Sequence, residues 1–140
     1  MRISRSIGLA FFVPLLAACS SHGQRISIRT DPAGALVSWQ RSGTQTISGS
    51  VAGVGGTIDG GRFTDEWMTL GNAPIDYEFD LSESEGGGYV AGLGGQVTKH
   101  YRDAMIRVEL VGYQALERRV AFTGDPIDLV FTLQKVGGLP

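Results

Sequence analysis

Strict alternation of apolar and polar residues is the feature that most limits the fold of this sequence. From Ile75 to Leu81, apolar side chains fall at every second position and acidic residues fill the positions between them. Successive side chains of a β-strand point to opposite faces of a sheet, so this period is typical of a half-buried strand. Related patterns predict further strands at Arg25 to Thr30, Ala35 to Gln40, Met105 to Leu110, Leu116 to Phe122 and Ile127 to Leu133.

Glycine and proline separate these strands. Turn sequences occur at Asp31 to Gly34, Gly71 to Pro74, Gly112-Tyr113 and Gly124 to Pro126. Proline fixes φ at a turn position, and glycine permits a positive φ. No helical pattern of useful length is found in the sequence. Short strands joined by such turns predict an all-β fold, a small antiparallel β-sandwich, in which the first two strands form a tight hairpin or a corner.

Glycine is concentrated in the middle of the chain. Of 21 glycines, 14 lie between Gly43 and Gly95. Arg41 to Gly61 therefore predicts a flexible hairpin or a long loop with short strands, and Ser82 to Gly88 predicts a mobile loop. These two insertions, at about 41–66 and 82–102, divide otherwise ordinary β sequence.

The N-terminus has the pattern of an export signal. Arg2 and Arg5 precede a short apolar run from Ile7 to Ala18, which has the length of a signal-peptide core rather than of a membrane span. It ends in Leu16-Ala17-Ala18-Cys19, which resembles the lipobox of bacterial lipoproteins. The resemblance implies a signal peptide over residues 1–18, cleavage before Cys19, and acylation of its thiol and new amino group with fatty chains such as palmitate. An ordinary secretory signal with a chance cysteine is the alternative.

Cys19 is the only cysteine, so no intramolecular disulfide can form. Two or more acyl chains would hold the protein stably on a membrane. By resemblance to Gram-negative lipoproteins, Ser20 favours transfer to the outer membrane over retention at the inner one. We therefore expect an outer-membrane lipoprotein with a short tether at residues 19–24.

Two further stretches resemble PEGA domains. Ile28 to Ala35, followed by Val37-Ser38-Trp39, is similar to the opening strand, turn and strand of that family. Leu70 to Ile75 is similar to a later turn, and Ile106 to Phe122, with Gly112-Tyr113 at its centre, to the last hairpin. The resemblance implies a PEGA-like β domain over residues 25–134, followed by a tail at 135–140. It also implies an adhesion or interaction module that binds carbohydrate or protein.

Charge and motifs limit the possible functions. Without Arg2 and Arg5 the mature chain carries 10 basic and 14 acidic residues and has no basic cluster in sequence, so we expect no nucleic-acid partner. A hydrolase would have to use His100 with Ser82 or Ser84, and no Gly-x-Ser-x-Gly motif is present. We therefore expect no enzyme activity and no cofactor.

Acidic residues form two candidate calcium sites, and we favour the interpretation that they are solvated. The first set is Asp59, Asp65 and Glu66, and the second is Asp76, Glu78, Asp80, Glu83 and Glu85. On a strand, Asp76, Glu78 and Asp80 share one face, where Arg118 or Arg107 across the strands would neutralise them. No zinc-type spacing occurs, so no metal site is predicted.

Aromatic residues are the remaining candidates for ligand binding. Trp39, Trp67, Tyr89 and Tyr101 could stack on a sugar ring, although Trp67 is more often a packing residue. The leading hypothesis is a non-enzymatic envelope lipoprotein that binds another protein through its glycine-rich insertions. The alternative is a lipoprotein that binds carbohydrate or peptidoglycan through these four side chains.

Overall fold

A computed structural model describes residues 23–51, 53–90 and 93–137. Within these ranges all regular structure is β, and no helix is long and apolar enough to cross a membrane. The strands are β1 (Gly23–Asp31), β2 (Leu36–Val51), β3 (Val54–Thr64), β4 (Met68–Asn72), β5 (Ile75–Asp80), β6 (Ser82–Val90), β7 (Leu93–Glu109), β8 (Leu116–Ala121) and β9 (Ile127–Thr132).

The strands form two sheets packed face to face, which confirms the predicted β-sandwich. The small sheet has the order β5-β1-β9, in which β1 is antiparallel to β5 and parallel to β9. The large sheet contains the other six strands. Because β1 and β2 lie in different sheets, the first turn is a corner, and Gly34 adopts a φ of 95° there.

The two longest strands give the large sheet two unlike halves. β2 and β7 pair from Leu36 opposite Glu109 to Gly49 opposite Gly95. At one end β4 and β8 flank this pair, and this half covers the small sheet. At the other end β3 and β6 flank it, and the four strands continue beyond the sandwich. We call this second half, residues 43–64 and 82–101, the projecting sheet.

The core lies between the small sheet and the first half of the large sheet. Trp39 is fully buried at its centre, with edge-on contacts to Tyr77 at 5.2 Å and Phe79 at 4.8 Å between ring centroids. Trp39 belongs to the large sheet and its two partners to the small one, so these rings join the layers. The rest of the core includes Ile26, Ile28, Val37, Ile106, Val108 and Phe131.

A bulge separates the two halves of the large sheet. The register between β2 and β7 shifts between Ser42 and Gly43, leaving Arg102 without a partner residue on β2. A Cβ atom at position 43 would lie 1.9 Å from the His100 carbonyl oxygen, so only glycine fits. On the two neighbouring strands Phe63 and Tyr101 lie opposite Gly43, and their rings meet at 5.5 Å.

Several local predictions need correction. Ser82 to Gly88 belongs to β6 and is not a loop, because β7 supplies its hydrogen-bonding partners. β1 begins at Gly23, within the range predicted as tether, and the buried Gln24 side chain bonds to Gly124 and Asp125. The predicted tail is attached at its start, where Lys135 pairs with Tyr113.

The acidic face of β5 is neutralised by a different residue from those predicted. Arg25 on β1 lies 3.8 Å from Glu78, and Ser27 donates a hydrogen bond to Asp76. Arg107, one of the two predicted partners, pairs with Glu117 at 2.6 Å instead. Arg118, the other, lies over the Phe131 ring.

Candidate functional site at the base of the projecting sheet

The two faces of the projecting sheet differ in chemistry. Directly opposed residues share a face, so the register places Ile58, Ile47 and Val97 in one row across three strands. The adjacent row on the other face holds Thr57, Ser48 and Gln96. Thr46, Thr98 and Ser84 continue that second face, and the Ser84 and Thr98 hydroxyls are 3.0 Å apart. One face thus carries aliphatic side chains on three strands, with the exposed Glu85 opposite Val97 on the edge strand β6, and the other face is rich in hydroxyl groups.

A partly buried group of charges lies where the aliphatic face meets the core, and we call it the charge cluster: Arg41, Asp65, Glu83, Lys99 and Tyr101. Arg41 pairs with Asp65 at 3.3 Å and with Glu83 at 3.2 Å. Lys99 also reaches Asp65 at 3.2 Å. The Arg41 guanidinium carbon lies 3.9 Å from the centre of the Tyr101 ring. The cluster therefore joins strands β2, β6 and β7 and the segment after β3.

Tyr101 is the titratable group that this environment changes most. Burial raises its pKa well above the ordinary value of 10.0, and its hydrogen bond to a Glu83 carboxylate oxygen, at 2.7 Å, raises the pKa further. Both effects disfavour a phenolate beside a carboxylate. The hydroxyl is therefore a hydrogen-bond donor at neutral pH and is not poised as a nucleophile or base.

The charge cluster is suited to holding the projecting sheet in place. Asp65 and Glu83 each accept bonds from cations or hydroxyls that are themselves largely buried, and Arg41 lies against three aromatic rings. Arg41 follows Val37 and Trp39 in the inward-facing alternation of β2. That position was the sequence signal for a buried cation, and the sequence analysis missed it.

A cleft of about 410 Å³ lies on the hydroxyl-rich side at the same level. Three arginines that are distant in sequence line it, together with Ser42, Thr44 and Thr64. Arg119 faces Asp103 at 3.5 Å, and the Ser42 hydroxyl donates to the same carboxylate. Arg62 and Arg102 form no ion pair with the residues that the structure describes. This arginine cleft (Arg62, Arg102, Arg119) could bind a carboxylate or phosphate group.

Two of the four predicted ligand-binding aromatics are buried. Trp39 is 0% exposed and Tyr101 is 3% exposed, so neither ring face is available to a sugar. Trp39 lies where the two sheets pack, whereas Tyr101 lies at the base of the projecting sheet, against the Phe63 ring and the Arg41 guanidinium. Exposure of an aromatic ring depends on what lies across the core, which one strand's sequence does not reveal.

The remaining predicted site residues lie elsewhere. Trp67 is 37% exposed, and the Arg107 guanidinium covers its ring at 4.0 Å, so the residue packs at the surface. Tyr89 lies in β6, but its side chain is outside the described residues, as are Cys19 and the whole signal segment. The structure therefore brings no two of the four aromatics into one exposed site among the residues it describes.

The structure brings one candidate hydrolase pair together, and it engages several of the other hydrolase and calcium candidates in other contacts. Ser82 lies directly opposite His100 on β6 and β7, whereas the Ser84 hydroxyl bonds to Thr98. Asp65 and Glu83 belong to the charge cluster, and the Asp59 carboxylate accepts the Gly61 backbone N–H at 2.8 Å. Across residues 23–51, 53–90 and 93–137, no group of three or more acidic, histidine or cysteine side chains could hold a metal ion.

Comparison with known protein families, curated proteins and solved structures finds no match for the chain.

Proposed function

We propose that this protein is a lipid-anchored, non-enzymatic binding module of the bacterial outer membrane. In this proposal Cys19 carries the anchor, and the projecting sheet and the arginine cleft form the interaction surface for an envelope protein. The supporting observation is that the two glycine-rich insertions form one four-stranded sheet beyond the sandwich. A sheet that extends outside the core adds surface to the molecule and little to its own core.

The anchor is supported by the lipobox-like residues Leu16 to Cys19 and by the absence of any other cysteine. Each buried CH₂ of an acyl chain contributes about 0.8 kcal/mol, so a multiply acylated cysteine is a sufficient membrane anchor. The turns resemble those of PEGA domains, which supports the proposal that the protein is an interaction module of the cell envelope. This resemblance covers residues 28–39, 70–75 and 106–122.

The arginine cleft favours a protein partner that presents acidic side chains. Two of its three guanidiniums have no ion-pair partner among the described residues, and hydroxyl groups lie beside them. Arginine binds carboxylates through paired hydrogen bonds, which gives both affinity and orientation. Sugar stacking has less support, because Trp39 and Tyr101 are buried and Trp67 lies under Arg107.

The anchor is tested by replacing the thiol. We expect Cys19→Ala to move the protein from the membrane fraction to the soluble fraction, or to leave it as the uncleaved precursor, because no acylation site remains. Ser21→Ala, the same kind of change two residues away, should fractionate as the wild type does. The measurement is membrane flotation followed by intact mass spectrometry. A Cys19→Ala protein that floats with membranes as fully as the wild type, with its leader removed, would refute the anchor.

A further inference from the structure

The aliphatic face of the projecting sheet is not covered by the described parts of the chain. Ile58 is 64% exposed and Val54 is 75% exposed, whereas Ile47 and Val97 are half-buried between their neighbours. We call these four residues the aliphatic patch. Exposed apolar side chains grouped on one face of a sheet mark a surface that contacts something apolar.

Both hairpins of the projecting sheet carry the same kind of sequence. Residues 51–56 read Val-Ala-Gly-Val-Gly-Gly, and residues 90–95 read Val-Ala-Gly-Leu-Gly-Gly. The repeat combines small and aliphatic residues without a single charge. Two separate insertions thus share one composition, which favours one common environment for the two hairpins.

The chain enters the sandwich at the end from which the projecting sheet extends. Gly23, the first residue of β1, is the register partner of Asp80, the last residue of β5. Two residues later β6 begins, and the Tyr101 backbone N–H donates to the Leu81 carbonyl at 2.8 Å. The tether that follows Cys19 therefore joins the described structure at the base of the projecting sheet.

The lengths of the tether and the sheet decide how far the sheet can stay from the anchor. Four residue steps separate Cys19 from Gly23, and a fully extended chain spans at most about 3.6 Å per residue, or about 14 Å in total. β6 runs eight steps from Ser82 to Val90, and strands rise about 3.3 Å per residue, which gives about 26 Å. The projecting sheet is thus longer than the tether, so it is long enough to reach the membrane surface that holds the lipid.

We propose that the aliphatic patch lies against the lipid surface to which Cys19 is anchored, with the hydroxyl-rich face turned toward water. The proposal rests on the lipid anchor of the proposed function and assigns a lipid contact to a second part of the chain. β3 and β6 are edge strands in the described structure, with unpaired backbone groups on their outer sides. Such groups are costly in hydrocarbon, so the sheet lies along the interface and does not cross the bilayer.

A pair of fluorescent labels on adjacent residues tests this orientation. Ile58 and Thr57 are neighbours on β3 that face opposite ways, so Ile58→Cys and Thr57→Cys form a matched pair. The full acylated lipoprotein is reconstituted in phosphatidylethanolamine–phosphatidylglycerol vesicles and labelled with an environment-sensitive thiol dye. Val111 is 98% exposed in the turn after β7, at the end away from the projecting sheet, so Val111→Cys is the aqueous reference.

We expect the label at position 58 to shift to the blue, to lose most of its quenching by aqueous iodide, and to be quenched by lipid-borne nitroxides. The labels at 57 and 111 should stay accessible to iodide and insensitive to the nitroxides. Equal iodide quenching at 57 and 58 would overturn the proposal. Protection of position 58 from iodide without nitroxide quenching would also overturn it, and would favour contact with a second copy or another protein.

Failure of the anchor can be distinguished from failure of this inference. Wild-type protein has only the Cys19 thiol, so dye uptake by the wild type reports an unacylated chain. Flotation of each labelled variant reports anchoring independently of dye position. Wild type that takes up dye and does not float overturns both proposals. Full flotation with a water-exposed label at position 58 overturns only the lipid contact of the sheet, and thermal unfolding of each variant confirms that the labelled proteins are folded.

Discussion

Arg41 carries a positive charge into a nearly closed aromatic and acidic environment. Its charge is balanced by Asp65 and Glu83, at 3.3 and 3.2 Å. Arg41→Met removes both of these charge-assisted contacts, whereas Asp65 keeps Lys99 and the 45% exposed Glu83 keeps Tyr101. Hydrogen bonds to charged groups contribute about 1.5–3 kcal/mol, so we expect Arg41→Met to lower the free energy of unfolding by about 2 kcal/mol in urea titrations. Arg25→Met breaks the exposed 3.8 Å pair with Glu78, and should cost less than about 1 kcal/mol. Equal losses would contradict a stabilising role for the charge cluster.

Tyr101 makes the stability of the domain sensitive to alkaline pH. Burial raises its pKa in the folded state above the ordinary 10.0 that it regains on unfolding. The folded state therefore holds the proton more tightly, and this contribution is complete below pH 10.0 and is lost as pH rises from there toward the folded-state pKa. We expect thermal unfolding temperatures to fall as the pH rises above about 10, with a smaller fall in Tyr101→Phe. A profile unchanged by the substitution would show that other groups cause the alkaline loss.

At the scale of strands, the bulge at Gly43 allows β2 and β7 to pass from the sandwich into the projecting sheet. The His100 carbonyl occupies the space that a side chain would need. We expect Gly43→Ala to destabilise the domain by about 3 kcal/mol, in the range of overpacking that forces backbone shifts. Gly56→Ala, on an exposed strand with open space around it, should be neutral or slightly stabilising. Chemical denaturation of both variants checks the contrast, and a tolerated Gly43→Ala would mean that the bulge relaxes freely.

The sequence predicted strands where burial imposed a pattern and missed them where it did not. Alternation from Ile75 to Leu81 marks β5 because one face packs on Trp39. In Ser82 to Gly88 glycine and acidic residues bury little, so the stretch looked like a loop. It is a strand because β7 supplies a hydrogen-bond partner, which is information from a distant part of the chain. The arginine cleft was hidden for the same reason, since Arg62, Arg102 and Arg119 come together only through strand pairing.

For the whole molecule, the separation between core and projecting sheet predicts that the outer part of the sheet can be removed. Among the side chains that the structure describes, the buried aliphatic and aromatic ones lie outside the stretches 46–59 and 85–97. Gln45 already donates to the Gly60 carbonyl at 3.0 Å, and Ser84 lies opposite Thr98, so an Asn-Gly turn can close each shortened hairpin.

We expect this double deletion to keep the charge cluster, an unfolding temperature close to that of the wild type, and the near-ultraviolet circular dichroism of the Trp39 environment. Flotation with membranes should also persist, because Cys19 is unchanged. What should be lost is the envelope partner recovered by cross-linking the wild-type lipoprotein in cells, since the deletion removes most of the surface outside the sandwich. Recovery of the same partner by the shortened protein would place the interaction at the arginine cleft, which the deletion keeps, or on the sandwich itself. Loss of the tryptophan signal would instead show that the projecting sheet contributes to folding.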